Sequence, residues 1–355
     1  MRVQRGSGKQ NHEDRRSASI KGRSAEKQAG KFSAKKEKQP EKGHIGKGAV
    51  NKRKGGNTGR NTERSKNGSN AERSESWKAP AAPLPSELRV SVETVPQLKA
   101  ALAVPRVHLI YIDESIGEDA QLPTFLERIH AAGKLAGLRL RRIQRLTDDG
   151  KNSLQNVTDN LEKLDAVLVR TLDQAVQLQS LPEENRPELV YDYTVYGYNH
   201  AAAEFLQTLG AERLTDPIEL NSRELLQLRR EIEAAGNGQN APKRELLVYG
   251  HLPMMVSANC VHRTTEGCDH KNSITRLKDR MQKSMPVRAY CKYCYNQIFN
   301  ADPCVLYDLS EECLRLRPDS QRFDFSVESG ETAAKILSLA VPGSLTRGHF
   351  HHGVD

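Results

Sequence analysis

The chain has 355 residues, with 54 Lys and Arg against 45 Asp and Glu and a net charge of +9. The charge is uneven: residues 1–80 hold 22 of the basic and 8 of the acidic side chains, a net of +14, which leaves 32 against 37, a net of −5, for the rest. Two regions are therefore expected rather than one basic protein, and the lack of any run of eighteen apolar residues argues against a membrane span.

Residues 1–85 are Lys, Arg, Gly, Ser, Asn and Gln with almost no large apolar side chains. Such a stretch cannot bury enough surface to offset its ordering entropy, so a disordered basic tail is expected. It reads equally as an arm over RNA phosphates or as a solvated linker. A-P-A-A-P-L-P, ending at Pro85, marks the expected boundary, and the second region, 86–355, is long enough for one large core.

From Leu88 short apolar strands alternate with amphipathic helices. Strands are expected at 88–93, 108–114, 138–143, 166–170, 188–193, 213–215, 244–250 and 322–328. Helices are expected at 96–103, 122–133, 152–163, 173–181, 200–210, 222–236, 310–317 and 331–340, with Gly133 or Gly137 as a stop and Ser222 as an N-cap. Eight strands alternating with helices over about 250 residues is the count of an α/β, (β/α)8 TIM-type barrel. A doubly wound open sheet is the alternative, weakened because no G-x-G-x-x-G follows the first strand.

The seventh strand runs into a cysteine-rich segment, 250–304, that holds five of the six cysteines. Cys291 and Cys294 form C-x-x-C, whose tight turn lets two thiolates reach one metal, and Cys260 and Cys268 form a looser pair upstream. Together they are the expected ligands of an iron–sulfur cluster, 4Fe-4S, or of Zn. Cys304, in the apolar run P-C-V-L-Y, is the reserve ligand. Cys313 lies on one apolar helix face with Leu309 and Leu316 and is left out. Six unrelated buried thiols are the plainer reading, and a disulfide framework is disfavoured because no signal peptide opens the chain and a cytoplasmic location is expected.

In a barrel, chemistry sits on the loops after the strands. That places Tyr193, Tyr196 and Asn199 after strand five, Glu219 and Asn221 after strand six, His251 after strand seven and Glu328 at the end of strand eight. Glu219, Glu328 and His251 are the candidates for proton transfer, and Tyr193, Asn199 and Asn221 for substrate contact. The plainer readings are a helix cap for Glu219, a solvated Glu328 and a structural hydrogen-bond donor for His251.

The run from Tyr191 to Asn221, the block Y-G-H-L-P-M-M-V-S-A-N-C (249–260), the later C-K-Y-C-Y-N-Q-I-F-N (291–300) and the closing T-R-G-H-F (346–350) resemble peptidase family U-32, the collagenase-like peptidases. The likeness covers residues 88–355. It implies a barrel whose cysteines hold an iron–sulfur cluster, in a family with members that act in hydroxylation of RNA bases or of a quinone precursor, some as paired barrels within or between chains. Better-known members space their last cysteines differently, which leaves the fourth ligand open. No G-x-S-x-G or H-E-x-x-H is present to supply a peptidase mechanism. Three functions compete: an iron–sulfur enzyme of RNA base hydroxylation, with ribosomal or transfer RNA and a second barrel as expected partners; a collagenase-like peptidase; and a non-catalytic RNA-binding module with a structural zinc.

Overall fold

A computed structural model describes residues 77–353 except 84–85, 118, 145–152, 236–240 and 266; all belong to one unit, residues 70–355. The expected disorder of residues 1–76 lies outside the described residues. The strands are β1 (Trp77–Lys78), β2 (Glu87–Val92), β3 (Val107–Asp113), β4 (Leu135–Arg139), β5 (Ala166–Val169), β6 (Glu188–Tyr191), β7 (Arg213–Thr215), β8 (Lys243–Gly250), β9 (Pro253–Ser257), β10 (Ile274–Lys278), β11 (Ser284–Tyr290), β12 (Tyr295–Phe299), β13 (Cys304–Val305), β14 (Ser320–Asp324) and β15 (Val341–Pro342). The helices are α1 (Val95–Leu102), α2 (Leu122–Ala131), α3 (Ser153–Thr158), α4 (Leu172–Leu178), α5 (His200–Thr208), α6 (Ser222–Ala235), α7 (Val261–Thr265), α8 (Ser310–Arg315) and α9 (Gly330–Leu337).

Strands β2 to β8 and β14 pair in parallel in the order β8-β14-β2-β3-β4-β5-β6-β7, and β7 pairs back to β8, so the sheet closes as an eight-stranded TIM-type barrel. The cysteine-rich insertion follows the seventh barrel strand, as the sequence indicated. The expected strand at 138–143 lies earlier, at Leu135–Arg139. Gly133, at φ +70°, ends α2, whereas Gly137 lies inside β4. A Cβ on Gly137 would stand 2.5 Å from the Tyr111 ring, so the glycine makes room for a tyrosine lying across the barrel interior.

Alternate strand residues sort by environment. Val90, Val92, Ile110, Ile112, Leu138 and Val167 face the helices and form the main core. The inward side is split. Leu109, Tyr111, Ala166, Leu168 and Val190 make a small apolar cluster. The rest of the interior is ionic. Arg89 pairs with Glu188 at 2.8 Å and Arg213 with Glu188 at 3.0 Å. Arg322, with no exposed side-chain surface, reaches Asp192 at 2.6 Å, Glu245 at 2.7 Å and Asp324 at 2.8 Å. Nearer the carboxyl ends, Arg139 pairs with Glu93 at 3.0 Å and Asp113 at 3.3 Å. Burial opposes the charge on Arg322, but Asp324, Asp192 and Glu245 outweigh it and hold the guanidinium well above its ordinary pKa.

Two T-x-x-Q capping boxes fix the loops above β2 and β5. Gln97 accepts from the amides of Glu93 and Thr94, and Gln174 from those of Arg170 and Thr171. Their side-chain amides then cross the structure, Gln97 to the Glu328 carbonyl and Gln174 to the Arg141 carbonyl, both at 2.8 Å.

The fold begins before the expected boundary at Pro85. β1 pairs antiparallel with β15, Trp77 packs on the core, and the Ala81 amide donates to the Leu339 carbonyl at 3.0 Å. A chain starting at Ser86 is therefore expected to be less stable than one starting at Trp77 by about 1–2 kcal/mol, a fall in Tm of roughly 2–8 °C. Equal melting curves for the two truncated chains would show that the Trp77 segment contributes nothing.

Candidate functional site

The insertion forms a four-stranded antiparallel sheet, in the order β10-β11-β12-β9, laid over the carboxyl-end mouth of the barrel. Arg288 on β11 anchors it. Its guanidinium donates to the Ser326 carbonyl at 2.7 Å and the Glu93 carbonyl at 3.0 Å, and its Nε stands 2.8 Å from the Glu93 carboxylate. The Tyr290 hydroxyl donates to the same carboxylate at 2.7 Å, and that of Tyr293 to the Glu114 carbonyl at 3.0 Å. Tyr290 stacks on Tyr295 with centroids 4.8 Å apart, and the Arg141 guanidinium lies 4.3 Å over the Tyr293 ring. The mouth in which most TIM-barrel sites lie is thus covered by the chain's own aromatic and ionic contacts.

The thiols lie at the Tyr295 end of this cover. Cys260, Cys268, Cys291 and Cys294 all line one cavity of about 970 Å³, together with Arg263, His270, Lys292, Tyr293 and Tyr295. Cys291 begins a 3₁₀ turn, and Cys294 ends it at φ 53°, ψ 50°, a left-handed conformation that costs a non-glycine residue about 1 kcal/mol or more. That turn brings both thiols of C-x-x-C to the cavity. Burial, followed by Cys260, Cys268, Asp269 and Cys294 as neighbours, pushes the Cys291 thiol up. Its Sγ donates to the Lys271 carbonyl at 2.9 Å, and Cys260 Sγ accepts from the Arg263 amide at 3.4 Å. All six cysteines are free. The donor chemistry, four thiols with Arg263 and Lys292 beside them to offset thiolate charge, fits a thiophilic metal or cluster. As the side chains stand, no three His, Cys, Asp or Glu among the described residues form a ready coordination set.

The reserve ligand lies elsewhere. Cys304 is 6% exposed, lines a small apolar cavity with Leu306 and Phe350, and is pushed up to about 12 by burial. Cys313 is fully buried on α8, donates to the Leu306 carbonyl at 3.3 Å, and is also pushed up to about 12 by burial.

The candidate polar residues are scattered. His251 and Glu328 come together: His251 Nε2 stands 3.9 Å from Glu328 Oε1, in a second cavity of about 700 Å³ that also takes in Tyr249 and Trp77. Glu328 is buried, not solvated. This cavity and the thiol cavity lie at opposite ends of β12, whose Tyr295–Phe299 span is about 13 Å at 3.3 Å per residue. Glu219 is exposed, on another cavity with Tyr198 and His349. Asn221, not Ser222, caps α6: its Oδ1 accepts from the amides of Arg223 and Glu224, and its own amide donates to Glu224 at 2.8 Å. Asn199 caps α5 in the same way, accepting from the Ala202 amide at 2.8 Å. Tyr193 is half-buried, and burial together with the Asp192 charge pushes its hydroxyl up to about 12. Tyr196 is 54% exposed and stacks on Tyr198. Sequence reasoning missed Glu93, Arg288 and Tyr290, which bind the cover to the barrel, and Arg139, which pairs with Glu93 from the barrel side. The two T-x-x-Q boxes and the charged residues alternating in L-R-V-S-V-E were the readable signals.

No protein-family model matches the sequence, and no curated protein does. Among solved structures, the chain is similar to a U32 peptidase, at 14% identity and a TM-score of 0.43, covering 71% of this chain and 97% of that one. It is similar to the 3-dehydroquinate dehydratase from Aquifex aeolicus VF5, at 15% identity and a TM-score of 0.32 over 45% of this chain and 78% of that one. It is also similar to the thiamine phosphate pyrophosphorylase from Pyrococcus furiosus, at 10% identity and a TM-score of 0.37 over 71% and 95%. Likenesses at this level transfer no activity; the barrel rests on its own strand order. Among the described residues no helix is long and apolar enough to cross a membrane.

Proposed function

We propose that the chain is a U32-like iron–sulfur protein that acts on RNA, in base hydroxylation. The observation that carries this reading is the shared cavity of Cys260, Cys268, Cys291 and Cys294 on the sheet that covers the barrel mouth. Those four thiolates would hold the cluster, and a bound cluster would supply electron transfer or ligation of a substrate atom. Arg263 and Lys292 balance the thiolate charge. Lys and Arg in residues 1–80 suit a polyanion better than a collagen-like substrate. Of the candidates for proton transfer, His251 and Glu328 share a cavity at the far end of β12 from the thiols, and Glu219 lies apart from both. Peptide hydrolysis fits less well, because four thiolates on one zinc leave no open coordination position for water.

Anaerobically purified protein should show broad visible absorption and bind iron and sulfide, and a host lacking the gene should lose one RNA modification in mass-spectrometric mapping. Colourless, zinc-loaded protein with unchanged RNA would replace this reading by the structural-zinc one. Digestion of collagen or casein that survives removal of contaminating proteases would replace it by the peptidase one.

A further inference from the structure

The cavity at the far end of β12 holds an arrangement of its own. His251 Nδ1 lies 2.8 Å from the Asn300 carbonyl, which only accepts, so Nδ1 carries the hydrogen and a neutral ring presents Nε2 as an acceptor. Glu328 Oε2 is taken by the amides of Ser326 at 2.7 Å and Val327 at 3.0 Å, while among the described residues Oε1 accepts from the Tyr249 hydroxyl at 2.9 Å. Two acceptors, Nε2 and Oε1, thus stand 3.9 Å apart with side chains only 12% and 2% exposed. They are too far apart to bond each other directly. A nitrogen bearing two hydrogens, placed roughly 2.9 Å from each, would satisfy both.

The walls narrow the choice of amine. Trp77, the only tryptophan in the chain, gives one side of the cavity an aromatic surface. Arg276 supplies a cation at the same cavity, where the second carboxylate, Asp302, is paired with Lys283 at 3.1 Å. An aromatic wall, two buried acceptors and a guanidinium match a planar amino-bearing ring attached to a phosphate. We infer that the Trp77–His251–Glu328 cavity binds an amino-bearing nucleobase, that of adenine, cytosine or guanine, with the exocyclic amine bridging His251 Nε2 and Glu328 Oε1. The site is read from the cavity; the choice of a nucleobase of RNA over another planar amine rests on the proposed function.

Trp77 provides the test. Its fluorescence in the full chain should be quenched saturably by AMP, CMP or GMP, and much less by UMP, whose base has no amino group. Glu328→Gln keeps the shape but offers a donor where an acceptor is needed. It should weaken binding by roughly tenfold or more, as should His251→Ala, while both variants keep the parental melting curve. An unchanged melting curve with unchanged binding in both variants overturns the inference. So does equal quenching by UMP, or by a simple alkylamine, or no quenching by any of the four nucleotides at about 1 mM. Cys291→Ser should leave this binding intact. Nucleotide binding together with RNA modification that survives Cys291→Ser would remove the proposed function and keep the site. Loss of RNA modification in Cys291→Ser, with no nucleotide bound by the parent, would do the reverse.

Discussion

Replacing Arg322 by methionine is expected to destabilise the fold by about 3–5 kcal/mol, a drop in Tm of roughly 6–20 °C. The side chain is wholly buried and is shared by Asp192, Glu245 and Asp324. Arg170 still reaches Asp192 at 3.1 Å, and Arg89 stands 3.9 Å from Glu245, so those two carboxylates keep one cation each. Among the described residues Asp324 keeps no other ion pair, and Glu245 loses its nearest. The cost comes from carboxylates stranded in a dry interior, not from the worth of the ion pairs, because removing both partners of a buried pair is often nearly neutral. Glu245→Gln and Asp324→Asn in the Arg322→Met background should therefore restore part of the loss, a non-additivity that a double-mutant cycle reads directly. A calorimetric Tm within about 2 °C of the parent for Arg322→Met alone would mean that water or rearranged side chains already satisfy these carboxylates.

This ionic interior shows what alternation in the sequence could and could not convey. In L-R-V-S-V-E and R-F-D-F the period of two marks strands, and the count of such runs marks a barrel. Alternation alone does not say which side faces water. In a sheet open on one face the charged residues would be solvated; in a barrel jacketed by helices the apolar ones face the helices, and Arg89, Ser91, Arg322 and Asp324 turn to the axis. The small sheet was hidden for the opposite reason. Met254, Met255 and Val256 on β9 are all exposed, so burial does not sort that strand into two faces and leaves no period to read. The thiols could be grouped from C-x-x-C spacing because a tight turn fixes neighbours locally. His251 and Glu328, 77 positions apart, meet only because β8 and β14 are adjacent in the closed sheet. Glu219 and Asn221 have the right position after a barrel strand, but the local needs of α6 claim Asn221 as a cap, and Glu219 turns to solvent.

Cys291→Ser is expected to strip the protein of its bound metal or cluster, with a loss of affinity above about 100-fold and disappearance of the visible absorption expected of the parent. Serine keeps the size of the side chain but is a hard, weakly acidic oxygen donor where a soft thiolate is required. Cys291 stands at the start of the turn that carries Cys294, and Cys260 and Cys268 are its electrostatic neighbours, so its removal takes a donor from the middle of the set. Cys304→Ser and Cys313→Ser should each keep the full metal content. Their thiols lie away from the thiol cavity, Cys304 at a small apolar cavity and Cys313 within the core. Fold and site can be separated in the same experiment. Cys313 is fully buried, so its serine variant should lower Tm while holding metal, whereas Cys291 lies at the cavity wall and its variant should lose metal from a barrel that still closes. Elemental analysis of the anaerobically purified variants decides the assignment. Parental iron or zinc in Cys291→Ser would remove this cysteine from the ligand set, and metal lost only from Cys304→Ser would move the centre to the apolar cavity beside Phe350.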